Sequence, residues 1–175
     1  MISASLQLIV CTALMGACAF NSFAAQPSTA AGSYKTYTSE QFHFSFEYPA
    51  SWSLQERAAT DGSRFLSLKL LSRDEDIDVL RDYSPGSFAV EVFANPRRLQ
   101  VRDWLDEHGW PFGEADRSVT TTSVGGLPAL EVATGKMFAP NRFVYVASGN
   151  VVVRLAPLAA QSQAILRSFR FEAER

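Results

Sequence analysis

An acidic run is the first candidate for chemistry in this sequence. Asp74, Asp76, Asp78 and Asp82 occupy positions one, three, five and nine of a calcium-binding loop. That loop also needs glycine at position six and glutamate at position twelve, where this sequence has valine and proline. The run therefore predicts a solvated acidic loop between two strands rather than a metal site.

The side chains that most often carry catalysis are few. The only histidines, His43 and His108, fall on different predicted elements. A zinc site needs three or four close ligands, and a serine hydrolase brings a serine, a histidine and an acid together. There is no Gly-x-Ser-x-Gly elbow and no phosphate-binding loop. The sequence thus predicts no enzyme, no metal and no cofactor, although an unrecognised acid pair stays open as an alternative.

The chain begins with a segment typical of export. Residues 1–24 carry no charged side chain, and the apolar stretch from Leu6 to Phe20 is shorter than the roughly 20 residues that span a bilayer. Small and polar residues follow it, as in a secretory signal peptide. We expect cleavage after Ala24, and residues 25–36 read as a short linker.

A second processing route is open at Cys18. Met15-Gly16-Ala17-Cys18 resembles a bacterial lipoprotein box, in which the cysteine is lipidated, although soluble release is favoured. The choice decides between a protein free in the periplasm and one tethered to a membrane, since several lipid chains make a stable anchor. Both cysteines, Cys11 and Cys18, lie in this segment, so the remaining chain has no disulfide and no thiol nucleophile.

Period-two patterns dominate the rest of the chain. Aromatic and polar residues alternate over residues 42–48, which predicts a half-buried strand with four rings on one face. Gly125-Gly126 and Gly149-Asn150 each separate two strand patterns and predict tight hairpins. About seven strands and two helices, the second over residues 159–168, predict an α+β fold in which one antiparallel sheet is sandwiched by helices.

The first helix has the strongest pattern. Asn95 suits the N-cap, Pro96 suits the first helical position, and Gly109 suits the C-terminal end. The apolar stripe of this helix comprises Val101, Trp104, Leu105 and His108. Trp104 and Trp52 are therefore predicted core residues.

The order of these motifs resembles the PsbP-like family, named after an extrinsic protein of photosystem II. The resemblance is carried by FHFSFEYPASW at residues 42–52, by GGLPA at residues 125–129 and by ILRSFRF at residues 165–171. It implies an antiparallel sheet between helices (α/β/α) in one domain over residues 37–175. It also implies a binding or assembly module rather than an enzyme, with no transfer of the photosystem role.

Two loops offer candidate contacts with a partner. Trp110 and Phe112 stand around a proline between two glycines, and rigid aromatics are enriched at interface hot spots. Phe138 and Arg142 join two hairpins and could present an apolar and a cationic contact. Each pair also has a structural interpretation, as cover for the core or as a capping loop.

Charge and export together predict a function class. Sixteen basic and eighteen acidic residues give a net charge of −2 and pI ≈ 5.7, which excludes the electrostatic footprint of a nucleic-acid-binding protein. We predict an exported, non-catalytic binding or assembly module of the bacterial cell envelope. Its partner would be an envelope protein or complex, with membrane contact only if Cys18 is lipidated. The alternative is a periplasmic protein that binds a small lipid or sugar in a pocket between helix and sheet.

Overall fold

The computed structural model of the chain describes residues 33–58, 64–72, 87–136 and 140–172, which form two antiparallel sheets. The smaller sheet has the order β1-β2-β10, with β1 (Tyr34–Ser39), β2 (Phe44–Pro49) and β10 (Arg170–Phe171). The larger sheet has the order β3-β4-β5-β9-β8-β7-β6, with β3 (Ser53–Ala58), β4 (Arg64–Leu71), β5 (Phe88–Ala94), β6 (Arg117–Val124), β7 (Leu127–Thr134), β8 (Arg142–Ser148) and β9 (Val151–Pro157). The helices are α1 (Val101–His108) and α2 (Ser162–Ser168).

The aromatic alternation in the first motif forms β2, as predicted. Phe44 and Phe46 point to the same side and are fully buried, and each ring centroid lies within 5.3 Å of that of Phe169. Phe169 directly follows α2, so the first aromatic strand is packed against the end of the chain. Strand β1 begins at Tyr34 and therefore includes residues 34–36, which the sequence pattern assigned to the linker.

Both predicted hairpins are confirmed. Gly125 and Gly126 join β6 to β7 with φ values of 59° and 84°, a left-handed conformation that glycine adopts without a steric penalty. Gly149, with φ 57°, opens the turn between β8 and β9. These turns place four consecutive strands side by side at one end of the larger sheet.

The predicted start of α1 is wrong by about a turn and a half. The helix begins at Val101, and Asn95 instead closes the loop before it: its Oδ1 accepts from the Leu99 N–H and its Nδ2 donates to the Leu99 carbonyl. Asn95 is a common capping residue because its side-chain amide forms hydrogen bonds with nearby backbone groups. Here the amide forms those bonds within the loop rather than at the start of the helix. The stripe is confirmed for Val101, Trp104 and Leu105, which are buried, whereas its fourth member, His108, is exposed.

Helix α2 is also shorter than predicted. It begins at Ser162, because Ala159 and the next two residues form a turn in which the Ser162 N–H donates to the Ala159 carbonyl. The fully buried Ser162 hydroxyl donates to the Ser87 carbonyl at 2.7 Å, which ties the helix start to the residue directly before β5.

The larger sheet has an apolar layer on each face. Along β8, Val144 belongs to a first core that also contains Ile165 of α2 and the rings of β2, whereas Phe143 belongs to a second core that contains Trp104 of α1. The predicted antiparallel, mixed α+β character is confirmed. The prediction of a single sheet is wrong, because β1, β2 and β10 form a separate sheet, and the predicted sandwiching by helices is not confirmed.

Several sequence predictions lie outside the described residues. These are the signal segment over residues 1–24 with Cys18, the acidic run over residues 74–82, and Phe138.

All the described residues belong to one compact unit that spans Ala31–Arg175. Trp52 and Trp104 are both core residues, as predicted. Within the described ranges, no helix is long and apolar enough to cross a membrane.

Candidate interaction surface

The end of α1 positions Trp110. Gly109 ends the helix with φ 97°, which turns the chain back along the helix flank. The Trp110 indole Nε1 then donates to Asp106 Oδ1 at 2.8 Å, one turn earlier in the chain. The ring is partly exposed and is fixed in orientation by this bond.

Two arginines flank the Trp110 ring. The Arg117 guanidinium carbon lies 4.2 Å from the ring centroid and that of Arg102 lies 5.8 Å away, both within the range of a cation–π interaction. Arg117 also donates to the Phe112 carbonyl at 3.3 Å, which ties the first residue of β6 to the loop. We call Arg102, Asp106, Trp110 and Arg117 the Trp110 surface.

Phe112 lies beneath this surface rather than on it. Its side chain is 8% exposed, and its ring stacks on Phe143 with centroids 5.7 Å apart, inside the second core. Of the two aromatics in this loop, Phe112 is buried in the second core, whereas Trp110 packs against that core and stays partly exposed.

Arg142 lies on the opposite face of the larger sheet from Trp110. It alternates with Phe143 along β8 and lines a hollow of about 210 Å³ beside α2, together with Val144 and Gln163. Its Nε is 3.6 Å from Glu131 Oε2, and the Gln163 amide, with its oxygen turned toward the guanidinium, comes within 3.2 Å of Nη1. The structure therefore does not bring Arg142 and Trp110 together.

The sequence patterns did not identify Arg102, Asp106 or Arg117 as part of a site. Arg102, Asp106 and Trp110 stand four residues apart, which is the spacing of neighbours along one helix face. That spacing could have indicated the first three members. Arg117 reaches the ring only because the chain folds back after α1, and no local pattern reports that contact.

His108 has a packing role at the end of α1. Its ring stacks on Trp104 with centroids 4.4 Å apart, and its Nδ1 lies 2.9 Å from the Trp104 carbonyl oxygen. In the part of the chain that the structure describes, no group of three or more His, Cys, Asp or Glu side chains could hold a metal ion.

A charged cluster lies on the face of the larger sheet that carries the second core. Glu91 is 14% exposed and accepts from Arg64 at 2.7 Å through Oε1 and from Arg154 Nε at 2.6 Å through Oε2. The Arg154 guanidinium also lies over the rings of Phe93 and Phe143. Burial alone lowers the pKa of Arg154, but the adjacent Glu91 carboxylate outweighs it, so the pKa is raised. This cluster is internally paired and serves the packing of β4, β5 and β9.

Comparison with solved structures finds the solution structure of cyanobacterial PsbP (CyanoP) from Synechocystis sp. PCC 6803. The two chains share 11% sequence identity with a TM-score of 0.46, over 86% of this chain and 99% of that chain. The match has the same family name as the resemblance in the sequence motifs, and at this identity it is a likeness of fold alone. No protein-family model matches the sequence, and no curated protein matches it either.

Proposed function

We propose that this chain is an exported, non-catalytic binding module of the bacterial cell envelope. It binds an envelope protein through the Trp110 surface and contributes to the assembly of a larger complex. Support for export comes from the signal-peptide pattern of residues 1–24, and the absence of a recognisable catalytic motif in the sequence supports a binding role.

The arrangement of Trp110 between two arginines carries this proposal. Tryptophan and arginine are the residue types most enriched at interface hot spots, and an oriented ring loses little conformational entropy when a partner binds. Neither Arg102 nor Arg117 forms an ion pair with a carboxylate of the described residues. The surface therefore favours a partner segment that offers an acidic side chain next to an apolar one.

Two basic side chains near this surface are already paired with carboxylates, so they do not compete with Arg102 and Arg117 for an acidic partner. Arg97 donates to Glu107 at 2.6 Å, and Lys136 pairs with Asp116. An acidic partner thus has a defined place to bind rather than a diffuse basic patch.

The test is cross-linking and capture of the chain from the envelope of the cells that make it, followed by mass spectrometry. We expect a reproducible protein partner. Trp110→Ala should lower its recovery about tenfold, as a single hot-spot aromatic does. Tyr34→Ala is the control, because it removes an exposed aromatic side chain (54% exposed) from a different sheet. Recovery of the chain alone, or equal recovery with both variants, would overturn the proposal.

Melting temperatures separate binding from folding in this experiment. Phe112→Ala truncates a core ring and should cost about 3–5 kcal/mol. Trp110→Ala removes one side-chain hydrogen bond, two cation–π contacts and the packing of a partly buried ring against the second core, at about 2 kcal/mol. If Trp110→Ala unfolds as readily as Phe112→Ala, the ring is structural and the loss of capture says nothing about an interface.

The same spectra identify the mature N-terminus. We expect the chain to begin at Ala25, which would accompany release into the periplasm. A lipid-modified Cys18 at the N-terminus would instead show tethering to a membrane. Either form presents the Trp110 surface, so this result decides location without deciding the binding proposal.

Binding of a small lipid or sugar stays a prediction with less support. The described hollows beside Tyr37, Arg142 and Val101 have volumes of about 280, 210 and 180 Å³. Typical ligand sites enclose roughly 300–1,000 Å³. A thermal-shift screen would favour this alternative if one ligand class raised the melting temperature by several degrees, since ligands that bind only the native state stabilise it.

A further inference from the structure

Strand β6 is an edge of the larger sheet as far as the described residues show. Among the described strands it pairs with β7 alone, in a register without a bulge over all eight residues. Arg117 is its only charged residue, and the run from Thr120 to Ser123 is exposed on both faces. Such an edge carries a row of unpaired peptide groups that can bind another strand.

The opposite edge of the same sheet is protected in the usual way. Strand β3 is six residues long, and its exposed Glu56 and Arg57 place adjacent charges on the edge. Charges on an edge strand oppose pairing with another chain. The contrast between the two edges shows that β6 lacks a protection that the same sheet has elsewhere.

The hairpin geometry decides which peptide groups of β6 face outward. In a two-residue hairpin the first pair beyond the turn, here Val124 with Leu127, exchanges both hydrogen bonds, and bonded pairs then alternate along the ladder. Residues with even numbers therefore bond to β7. Arg117, Val119, Thr121 and Ser123 direct their N–H and C=O groups away from the sheet.

We propose that β6 pairs with β6 of a second copy of this chain, antiparallel, about a two-fold axis at Thr120. In this register the outward-facing residues meet one another: Val119 opposes Thr121 of the second copy and Arg117 opposes its Ser123. Thr120 faces Thr120 at close range in a pair without backbone bonds. The register brings no two charges together.

A second copy fits this edge because β6 is uncharged apart from Arg117, which opposes Ser123 of the second copy, and is rich in hydroxyl side chains. An acidic or basic strand would leave its charges opposite Thr and Val, whereas two copies of β6 align Thr, Ser and Val with one another. The pairing uses the open β6 edge of both copies, so it closes at a dimer and does not propagate into a fibre. The proposal does not rest on partner binding at the Trp110 surface, although Arg117 belongs to both.

The first test is the oligomeric state of the natively processed chain by sedimentation at micromolar concentration, where we expect a dimer. Thr121→Pro removes an outward N–H in each copy, and two lost hydrogen bonds should weaken the dimer about 10- to 100-fold. Thr121→Val, the matched control, retains the N–H and should dimerise like the wild type. A monomeric wild type, or equal dimerisation of both variants, would overturn the proposal.

The second test uses charge at the proposed axis and holds even if the proline variant fails to fold. Thr120→Lys and Thr120→Glu should each dimerise about fivefold more weakly, because like charges directly opposite one another repel. An equimolar mixture should recover a mixed dimer that contains one copy of each variant. If each single variant dimerises as the wild type does, or if the mixture gains nothing, Thr120 does not lie at the axis and the proposal is wrong.

Discussion

Glu91→Gln should be among the more damaging single changes that preserve side-chain shape in this fold. The carboxylate accepts from Arg64 through one oxygen and from Arg154 through the other, at 2.7 and 2.6 Å. Glutamine has the same size but no charge and only one acceptor oxygen. The substitution therefore leaves the Arg154 guanidinium, with its side chain 26% exposed, without its counter-charge.

The expected magnitude follows from burial and the number of bonds. Removing one partner of a fully buried ion pair costs about 3–5 kcal/mol. Glu91 and Arg154 are 14% and 26% exposed, so water relieves part of this cost. We expect a loss of about 3 kcal/mol, which for a domain of this size lowers the melting temperature by roughly 10 °C.

Glu131→Gln is the matched control. Glu131 also faces an arginine across neighbouring strands, but the Arg142 Nε is 3.6 Å away and the two side chains are about one-third exposed. Such pairs contribute about 0–1 kcal/mol. Urea denaturation, followed by circular dichroism, should show a lower midpoint for Glu91→Gln with an unchanged slope. Losses that agree within about 0.5 kcal/mol for the two variants would refute the reasoning that burial and dual hydrogen bonding determine the cost.

Three further predictions concern the turns and one ionisable side chain. Gly125→Ala should destabilise the chain by at least about 1 kcal/mol more than Gly126→Ala in urea denaturation. Both glycines have a positive φ, but only at Gly125 would the new Cβ stand 2.8 Å from a carbon of the Phe171 ring. Equal losses for the two variants would contradict this. Asn95→Ala should cost about 2–3 kcal/mol, since its two amide bonds to Leu99 are buried, and a loss below about 0.5 kcal/mol would show that they contribute little. Burial, with a nearby carboxylate, raises the pKa of Tyr37 to about 12, which favours the neutral phenol in the folded chain. The contribution of the neutral Tyr37 phenol to the free energy of unfolding is thus complete below pH 10 and is lost as the pH rises toward 12. The difference in the free energy of unfolding between wild type and Tyr37→Phe should therefore fall across that range rather than stay constant.

Local patterns predicted the elements whose determinants are close in sequence. The aromatic alternation identified β2, and paired glycines or Gly-Asn identified both hairpins, because a strand period and a tight turn are encoded within a few residues. The start of α1 was misplaced for the same reason. Asn95 has the chemistry of a cap, and only the folded chain shows that its amide is used by the Leu99 backbone.

Contacts between distant residues could not be predicted from one sequence. Strand β10 pairs with β2 over two residues, too short a segment for any periodicity, and it adds a third strand to the sheet that β1 and β2 form. Of the four residues of the Trp110 surface, the sequence predicted one. Trp110 was identified by residue type and loop context, whereas its contact with Arg117 depends on the path of the chain after α1.

The pairing of β2 with the end of the chain determines when this protein can fold during its synthesis. The Glu47 N–H donates to Ser168 Oγ at 2.8 Å, and the Phe169 ring packs on both Phe44 and Phe46. A nascent chain therefore cannot complete the packing of its most aromatic strand until Phe169 has left the ribosome. Until that point the rings of this strand lack one of their main contacts, and transiently exposed apolar strands favour aggregation.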